Sequence, residues 1–394
     1  MSRAAPGRAW PRGILHGVAL ALLGLYLVVF FTGNVALQWD LRACLTAARA
    51  ALEGADPYDL AQVSAVAGRE VAFPFLYPPV ALLPFFVLAS VPGAAAAWLG
   101  FKLALLGALV ALWRRMFLLD TPLLAIALVA LFGWNGAALW DLRSGNVATL
   151  EAALLWAAFA CFVRGRRGWF AVLVVAAACF KLLPAVFLVL LLVPPGAVRA
   201  DPVCFALAAA ALLALVFGPL WIGPAAAWEG FLRHVPAALA AGEANPGVPS
   251  AFAALALQAG RTAPEAARIA WIGYALFAAA LAAASAPYLR RTWRAASAAD
   301  GIMAAVFLYT LLAPRPMAYG FILLAPAPLY FAPRPFDGAI GRWMLVLALC
   351  AQGFMRVARM PSDAWVAVYS PALLTLAVWL LIVTARTGPR AAAP

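Results

Sequence analysis

Seven stretches of this chain run for roughly 20 apolar residues each, the length a helix needs to cross a hydrocarbon core. They lie near 13 to 33, 93 to 113, 121 to 140, 147 to 163, 203 to 221, 266 to 288 and 364 to 385. Shorter or proline-broken apolar pieces fall near 73 to 91, 169 to 193, 300 to 313, 319 to 332 and 341 to 355. In lipid every backbone N–H and C=O must be satisfied within the protein, so such a pattern folds as helices. The expected fold class is all-α, a polytopic integral membrane protein forming one membrane domain over residues 1–394. Only 11% of the residues are charged and 67% are apolar, against about a quarter charged in a soluble domain. Nucleic-acid binding, a soluble nucleotide-binding enzyme and a disulfide-stapled secreted fold are set aside together.

In a membrane protein the net charge of +13 is a topology signal, because basic residues collect in cytoplasmic loops. The first apolar run follows Arg3, Arg8 and Arg12 and is too long for a signal-peptide core, so an uncleaved anchor with a cytoplasmic N-terminus is expected. Placing Arg114/Arg115, Arg164/Arg166/Arg167, Arg199, Arg290/Arg291/Arg294, Arg334/Arg342 and Arg386/Arg390 inside as well leaves 10 arginines outside, sharing loops with 11 of the 15 carboxylates. Both termini are then cytoplasmic on two conditions. Residues 73 to 91 must not cross fully, and 169 to 193, broken at Pro184, must be a hairpin of two half-length helices. Irregular backbone at membrane depth survives only against protein or a water-filled cavity, so both places are candidate cavity walls.

Two long connections lie on the external side. Residues 34 to 72 carry an amphipathic stretch from Leu41 to Leu52, expected as an interfacial helix, and then the turn Asp56-Pro57-Tyr58-Asp59. Residues 222 to 265 form the second large external loop. The five cysteines lack any Cys-x-x-Cys spacing and there are only two histidines, so neither a disulfide framework nor a multi-histidine metal centre is supported, and no cofactor is implied.

Several residues could carry chemistry, each beside a plainer role. Asp40, where the chain leaves the first anchor, reads on spacing as the N-cap of the helix that follows, or as a carboxylate at a membrane boundary suited to general-base work. The chain has 26 arginines but two lysines, Lys102 and Lys181, both inside apolar segments. A cation at bilayer depth normally snorkels outward or faces a partner or an aqueous cavity. Lys181, at the break Phe180-Lys181-Leu182-Leu183-Pro184, suits an anion site. Arg143-Ser144-Gly145-Asn146 joins two firm spans externally, bracketed by Asp141 and Glu151, and reads equally as a polar turn with a balancing ion pair. Ala313-Pro314-Arg315-Pro316-Met317-Ala318-Tyr319 breaks an apolar stretch around one arginine at headgroup depth, where a phosphate would meet it. Phe73-Pro74-Phe75-Leu76-Tyr77-Pro78-Pro79 could be an aromatic-belt anchor, and His234 a plain loop histidine.

In order, these pieces resemble glycosyltransferase family 87 of the GT-C membrane enzymes. The match is carried by an aspartate just past the first span, Gly54-Ala55-Asp56-Pro57-Tyr58, Leu76-Tyr77-Pro78-Pro79, Ser144-Gly145-Asn146, Lys181-Leu182-Leu183-Pro184 and the Pro314-Arg315 interruption. The resemblance spans residues 38 to about 320 and departs at Cys44, where the family often has an aromatic, and at Pro316-Met317. It implies a GT-C-like bundle of about 10 to 12 membrane helices with external interfacial helices. It also implies inverting transfer of a hexose, mannose-like, from a polyprenyl-phosphate carrier to a glycan or lipid acceptor hydroxyl on the external face. Asp40 would be the general base; Arg315, Arg143, His234 and Lys181 would meet the donor phosphate; Tyr77, Asn146, Tyr58 and Tyr319 would line the substrates. The implied setting is a bacterial plasma membrane with the active site facing outward, and the partners are the sugar donor, the acceptor and membrane lipids, with no nucleic acid. The rival reading is a lipid or glycan transporter, since broken helices and intramembrane lysines also mark substrate pathways.

Overall fold

A computed structural model describes residues 37–196, 198–218, 227–233, 245–293, 297–333, 338–357 and 364–385, together with Gly17, Ala21 and Gly24, which are helical. The rest of the first anchor, most of the 222 to 244 connection and His234 lie outside the described residues. Among those described there is no strand. The helices are α1 (Trp39–Leu52), α2 (Leu60–Ala67), α3 (Leu83–Ala89), α4 (Ala94–Met116), α5 (Leu123–Ser144), α6 (Ala148–Val163), α7 (Arg167–Phe180), α8 (Pro202–Phe217), α9 (Val248–Gln258), α10 (Ala263–Thr292), α11 (Ala298–Leu312), α12 (Pro326–Phe331), α13 (Ala339–Val357) and α14 (Ala364–Thr384). Three of them, Ala94–Met116, Leu123–Ser144 and Ala263–Arg291, are long and apolar enough to span a membrane alone, and shorter apolar helices fill in around them.

Three 3-10 segments interrupt this bundle: Pro79–Leu82, Leu183–Leu191 and Ala318–Leu324. The first and third follow a break that proline enforces, since the residue before a proline is pushed to extended backbone, whereas the second follows an extended Lys181 and holds Pro184 within it. Ala313, before Pro314, stops α11 in that conformation at φ −62, ψ 120. Residues 73 to 91 hold only the first of these segments and the seven-residue α3, a helical stretch shorter than the roughly 20 residues a single span needs. After Lys181 the chain turns back along α6. Glu151 in the first turn of α6 meets Lys181, and Phe159, two turns further on, meets Phe187 with ring centres 5.0 Å apart. The 14 residues of α7 and the nine of Leu183–Leu191 therefore form the hairpin, of roughly 21 and 18 Å. A second return follows α11, where Phe307 meets Phe331 at 6.2 Å and Trp156 Nε1 donates to the Leu323 carbonyl at 3.0 Å.

The expected straight span at 121 to 140 is broken. Gly133 is extended and Trp134, Asn135 and Gly136 have φ of 49, 63 and 70, so α5 is two helical pieces. Gly353 on α13 sits against the Phe132 carbonyl there with no room for a Cβ. The helix expected to lie along the interface, α1, packs its apolar face on protein, with Leu41, Ala43, Cys44, Thr46, Ala47, Ala48 and Ala50 all buried. It joins Tyr58, Phe75, Phe85, Trp98, Val147, Trp228 and Phe231 in a second apolar cluster, separate from the main core of the bundle. The polar residues of interest collect where these two clusters meet.

Candidate active site

Asp40 does not cap its helix. Gln38 stands at the N-cap without a side-chain hydrogen bond, and Asp40 lies inside the first turn of α1. Its Oδ2 accepts from Asn146 Nδ2 at 2.8 Å, and the same amide nitrogen donates to the Tyr77 hydroxyl at 2.7 Å. Three sequence landmarks 106 and 69 residues apart thus meet at one amide. Burial pushes the Asp40 carboxyl above its ordinary range. The Asn146 hydrogen bond draws it back, the Asp141 charge raises it further, and Lys102 offsets part of that rise.

The turn that delivers Asn146 is built for close approach. Gly145 ends α5 at φ +73, where glycine has no steric penalty, and an added Cβ would stand 2.7 Å from Leu41 Cβ. The Gly145 carbonyl accepts from Trp98 Nε1 at 2.8 Å. Asn146 Oδ1 accepts from the Ala148 amide at 3.1 Å, which leaves its NH2 free to point at Asp40 and Tyr77. Tyr77 is held from behind: the buried Tyr58 donates its hydroxyl to the Tyr77 carbonyl at 2.6 Å, and the Tyr58 amide donates to Asp56 Oδ1 at 2.9 Å. Tyr58 therefore supports the segment that bears Tyr77, and Asp59 accepts from the Ala61 and Gln62 amides as the N-cap of α2.

The other breaks supply the cations. Lys181 Nζ lies 2.6 Å from Glu151 Oε2 and 5.6 Å from the centre of the Tyr319 ring. The Tyr319 phenol is within electrostatic reach of Asp40, Asp141, Glu151 and Arg315, which ties the Lys181 and Arg315 breaks to the Asp40 corner. Arg315 is half-buried, with its Nε shielded from water and making no hydrogen bond among the described residues. Arg143 lies to one side over the Trp140 ring, at 5.6 Å from its centre, and Trp140 in turn meets Trp39. Asp40, Asn146, Tyr77, Tyr319, Lys181 and Arg315 are thus one neighbourhood, while Tyr58 stands behind it and Arg143 beside it.

Sequence reasoning missed two partners. Lys102 and Asp141 form a fully buried ion pair at 2.7 Å, and Glu151 takes up Lys181; both lysines of the chain are paired with the carboxylates that bracket the Asn146 turn. Gln38 was also overlooked: it is 1% exposed and neither amide atom makes a hydrogen bond among the described residues. No described group of His, Cys, Asp or Glu is arranged to hold a metal ion.

Beside this neighbourhood an apolar groove of about 1000 Å³ opens between the Leu183–Leu191 segment, α10 and α11. It extends from Leu312 and Ala313, next to the Arg315 break, to Arg290 and Trp293 at the far end of α10.

The profile of Glycosyltransferase family 87 matches residues 75–314, more than half of the chain. Tyr77, Lys102, Asp141, Asn146, Glu151 and Lys181 fall within the match; Asp40, Arg315 and Tyr319 lie outside it. No curated protein and no solved structure matches. With its broken apolar helices gathering polar residues at one corner, the chain belongs to glycosyltransferase family 87 and is a membrane glycosyltransferase.

Proposed function

We propose that this enzyme moves a hexose, mannose-like, from a polyprenyl-phosphate carrier to an acceptor hydroxyl on the external face, with Asp40 as general base. The observation that carries the reading is the Asn146 amide holding the Asp40 carboxylate and the Tyr77 hydroxyl together, a corner away from the Lys181 and Arg315 breaks. A base must stand within hydrogen-bond reach of the proton it takes, and a raised carboxyl is better suited to that task than an ordinary one. The acceptor oxygen bonds to the anomeric carbon while its proton passes to Asp40. The bond from that carbon to the phosphate oxygen breaks on the opposite face, and the electron pair leaves with polyprenyl phosphate. A single displacement of this kind inverts the anomeric centre.

The leaving phosphate gains charge as the bond breaks, and fixed cations at the breaks stabilise that charge without reorganising. Arg315 offers a planar fork suited to a phosphate, and Lys181 becomes available if the phosphate displaces Glu151. The apolar groove ending at Ala313 fits a polyprenyl tail whose phosphate lies beside Arg315. The test is made in proteoliposomes given labelled polyprenyl-phosphate hexose and a membrane lipid and glycan extract as acceptor. A new glycosidic product is expected with the native enzyme and none with Asp40→Asn. Label that crosses the bilayer without a new bond would favour the transporter reading, and full activity in Asp40→Asn would remove Asp40 as the base.

A further inference from the structure

Behind the reacting corner lies a charged assembly that the transfer chemistry does not use. Lys102 on α4 and Asp141 on α5 are both 0% exposed. Lys102 Nζ reaches Asp141 Oδ2 at 2.7 Å and also donates to the Asp141 backbone carbonyl. Thr149 on α6 donates its hydroxyl to the same Oδ2, so three helices meet at one carboxylate, whose Oδ1 is buried without a hydrogen bond among the described residues. The Asp141 carbonyl accepts in addition from Ser144 Oγ at 3.2 Å and from the Gly145 amide at 3.0 Å. Ser144 Oγ accepts from the Asn146 amide at 3.1 Å, and Asn146 Nδ2 ends the chain of bonds on Asp40. An unbroken run of hydrogen bonds therefore joins the buried ammonium to the base.

We propose that Lys102 and Asp141 are positioning residues for the reaction at Asp40: they fix the Asn146 turn that holds it, and they present it with a balanced pair of charges instead of a single one. The inference rests on Asp40 being the base assigned above. Polar and charged groups face Asp40 from several elements: Asp141 on α5 and Lys102 on α4, Ser144 and Asn146 in the turn, Tyr77 from the extended segment, Tyr319 from the third 3-10 segment, and Cys44 on its own helix. Of these only Asp141 and Lys102 carry full charge beside it. They act on Asp40 with opposite signs, so removing either leaves the other unbalanced.

The experiment titrates Asp40 directly in the purified full chain in lipid nanodiscs, by infrared difference spectroscopy of the carboxyl band that Asp40→Asn removes. Lys102→Gln leaves Asp141 alone and should raise the midpoint by about one pH unit. Asp141→Asn leaves the ammonium alone and should lower it by a similar amount. Lys102→Met with Asp141→Leu removes both charges and should return it to the native value. Coincident midpoints in all four proteins would overturn the proposal, and a purely structural role would not shift the two single variants in opposite directions.

Should a single variant fail to fold, the doubly apolar variant still decides the positioning claim. It lacks the ammonium bond to the Asp141 carbonyl, so hydrogen exchange at the Asn146 and Ala148 amides should quicken at least tenfold while α13 is unaffected. Unchanged exchange would count against the proposal. The expected midpoints together with full transfer by Asp40→Asn would uphold the pair and remove Asp40 as the base. Coincident midpoints with transfer abolished in Asp40→Asn would do the reverse.

Discussion

A single amide decides much at the scale of the residue. Asn146 has four hydrogen-bonding positions, and its carbonyl is spent on starting α6 while its NH2 bridges Asp40 and Tyr77. A hydrogen bond to a charged group contributes about 1.5–3 kcal/mol, so Asn146→Ala should cost roughly 10- to 100-fold in kcat/KM. It should also change the pH profile in a fixed direction. Asp40 works ionised, so transfer falls as pH drops through its raised value, on the high side of the ordinary carboxylate near 3.9. The Asn146 bond opposes that rise, and its loss should carry the acid limb to still higher pH. A kcat/KM profile of both proteins checks the sign. Asp40→Asn should abolish transfer while insertion and folding, followed by size-exclusion elution, stay native.

Elements matter here chiefly where they stop. Glycine at 145 ends α5 in a left-handed conformation with Leu41 pressed against the place a side chain would occupy. Gly145→Ala should therefore strain the backbone by about 1–3 kcal/mol and push α1 away from the turn. The measurable outcome is a lower thermal midpoint together with at least a tenfold loss of transfer, whereas Gly260→Ala, at a similar φ of +77 but in open space, should affect stability alone. Much of this was legible beforehand, because helices end where prolines, glycines and polar turns interrupt an apolar run. The break at Lys181, the break at Pro314 and the Asp56–Asp59 turn follow from that rule. The kink at Gly133–Gly136 was missed, because Asn135-Gly136 is a turn signal set within an apolar run long enough for one continuous span. So was the role of Asp40 in its helix, where an N-cap pattern in sequence was overridden by a partner 106 residues away. The lysine pairings were missed for a related reason: charge balance shows in composition, but which carboxylate a lysine reaches depends on how helices cross.

On the scale of the whole molecule, the reading requires a lateral entrance and a defined side. The groove between Leu183–Leu191, α10 and α11 is lined by Leu308 and Leu312 near its polar end. Leu308→Trp should obstruct a polyprenyl tail and raise the apparent KM for the lipid-linked donor several-fold. A short-chain donor analogue should be much less affected, and equal effects on both would argue that the tail lies elsewhere. Orientation is open to a separate check. Arg261, before α10, and Arg115, at the end of α4, are both exposed. In a background without native cysteines, Arg261→Cys should react with an impermeant maleimide added to intact cells, and Arg115→Cys only after permeabilisation. The opposite pattern would invert the assigned sides.

The pairing of both lysines gives the enzyme an unplanned chemical address. Amine-selective acylating reagents find Lys102 sealed away, while Lys181 has a 28% exposed side chain clasped by Glu151. Among the side chains, acylation then concentrates on one position and proceeds only when that clasp opens. A mass-spectrometric footprint of Lys181 would become a reagent-based gauge of whether something anionic has taken the place of Glu151.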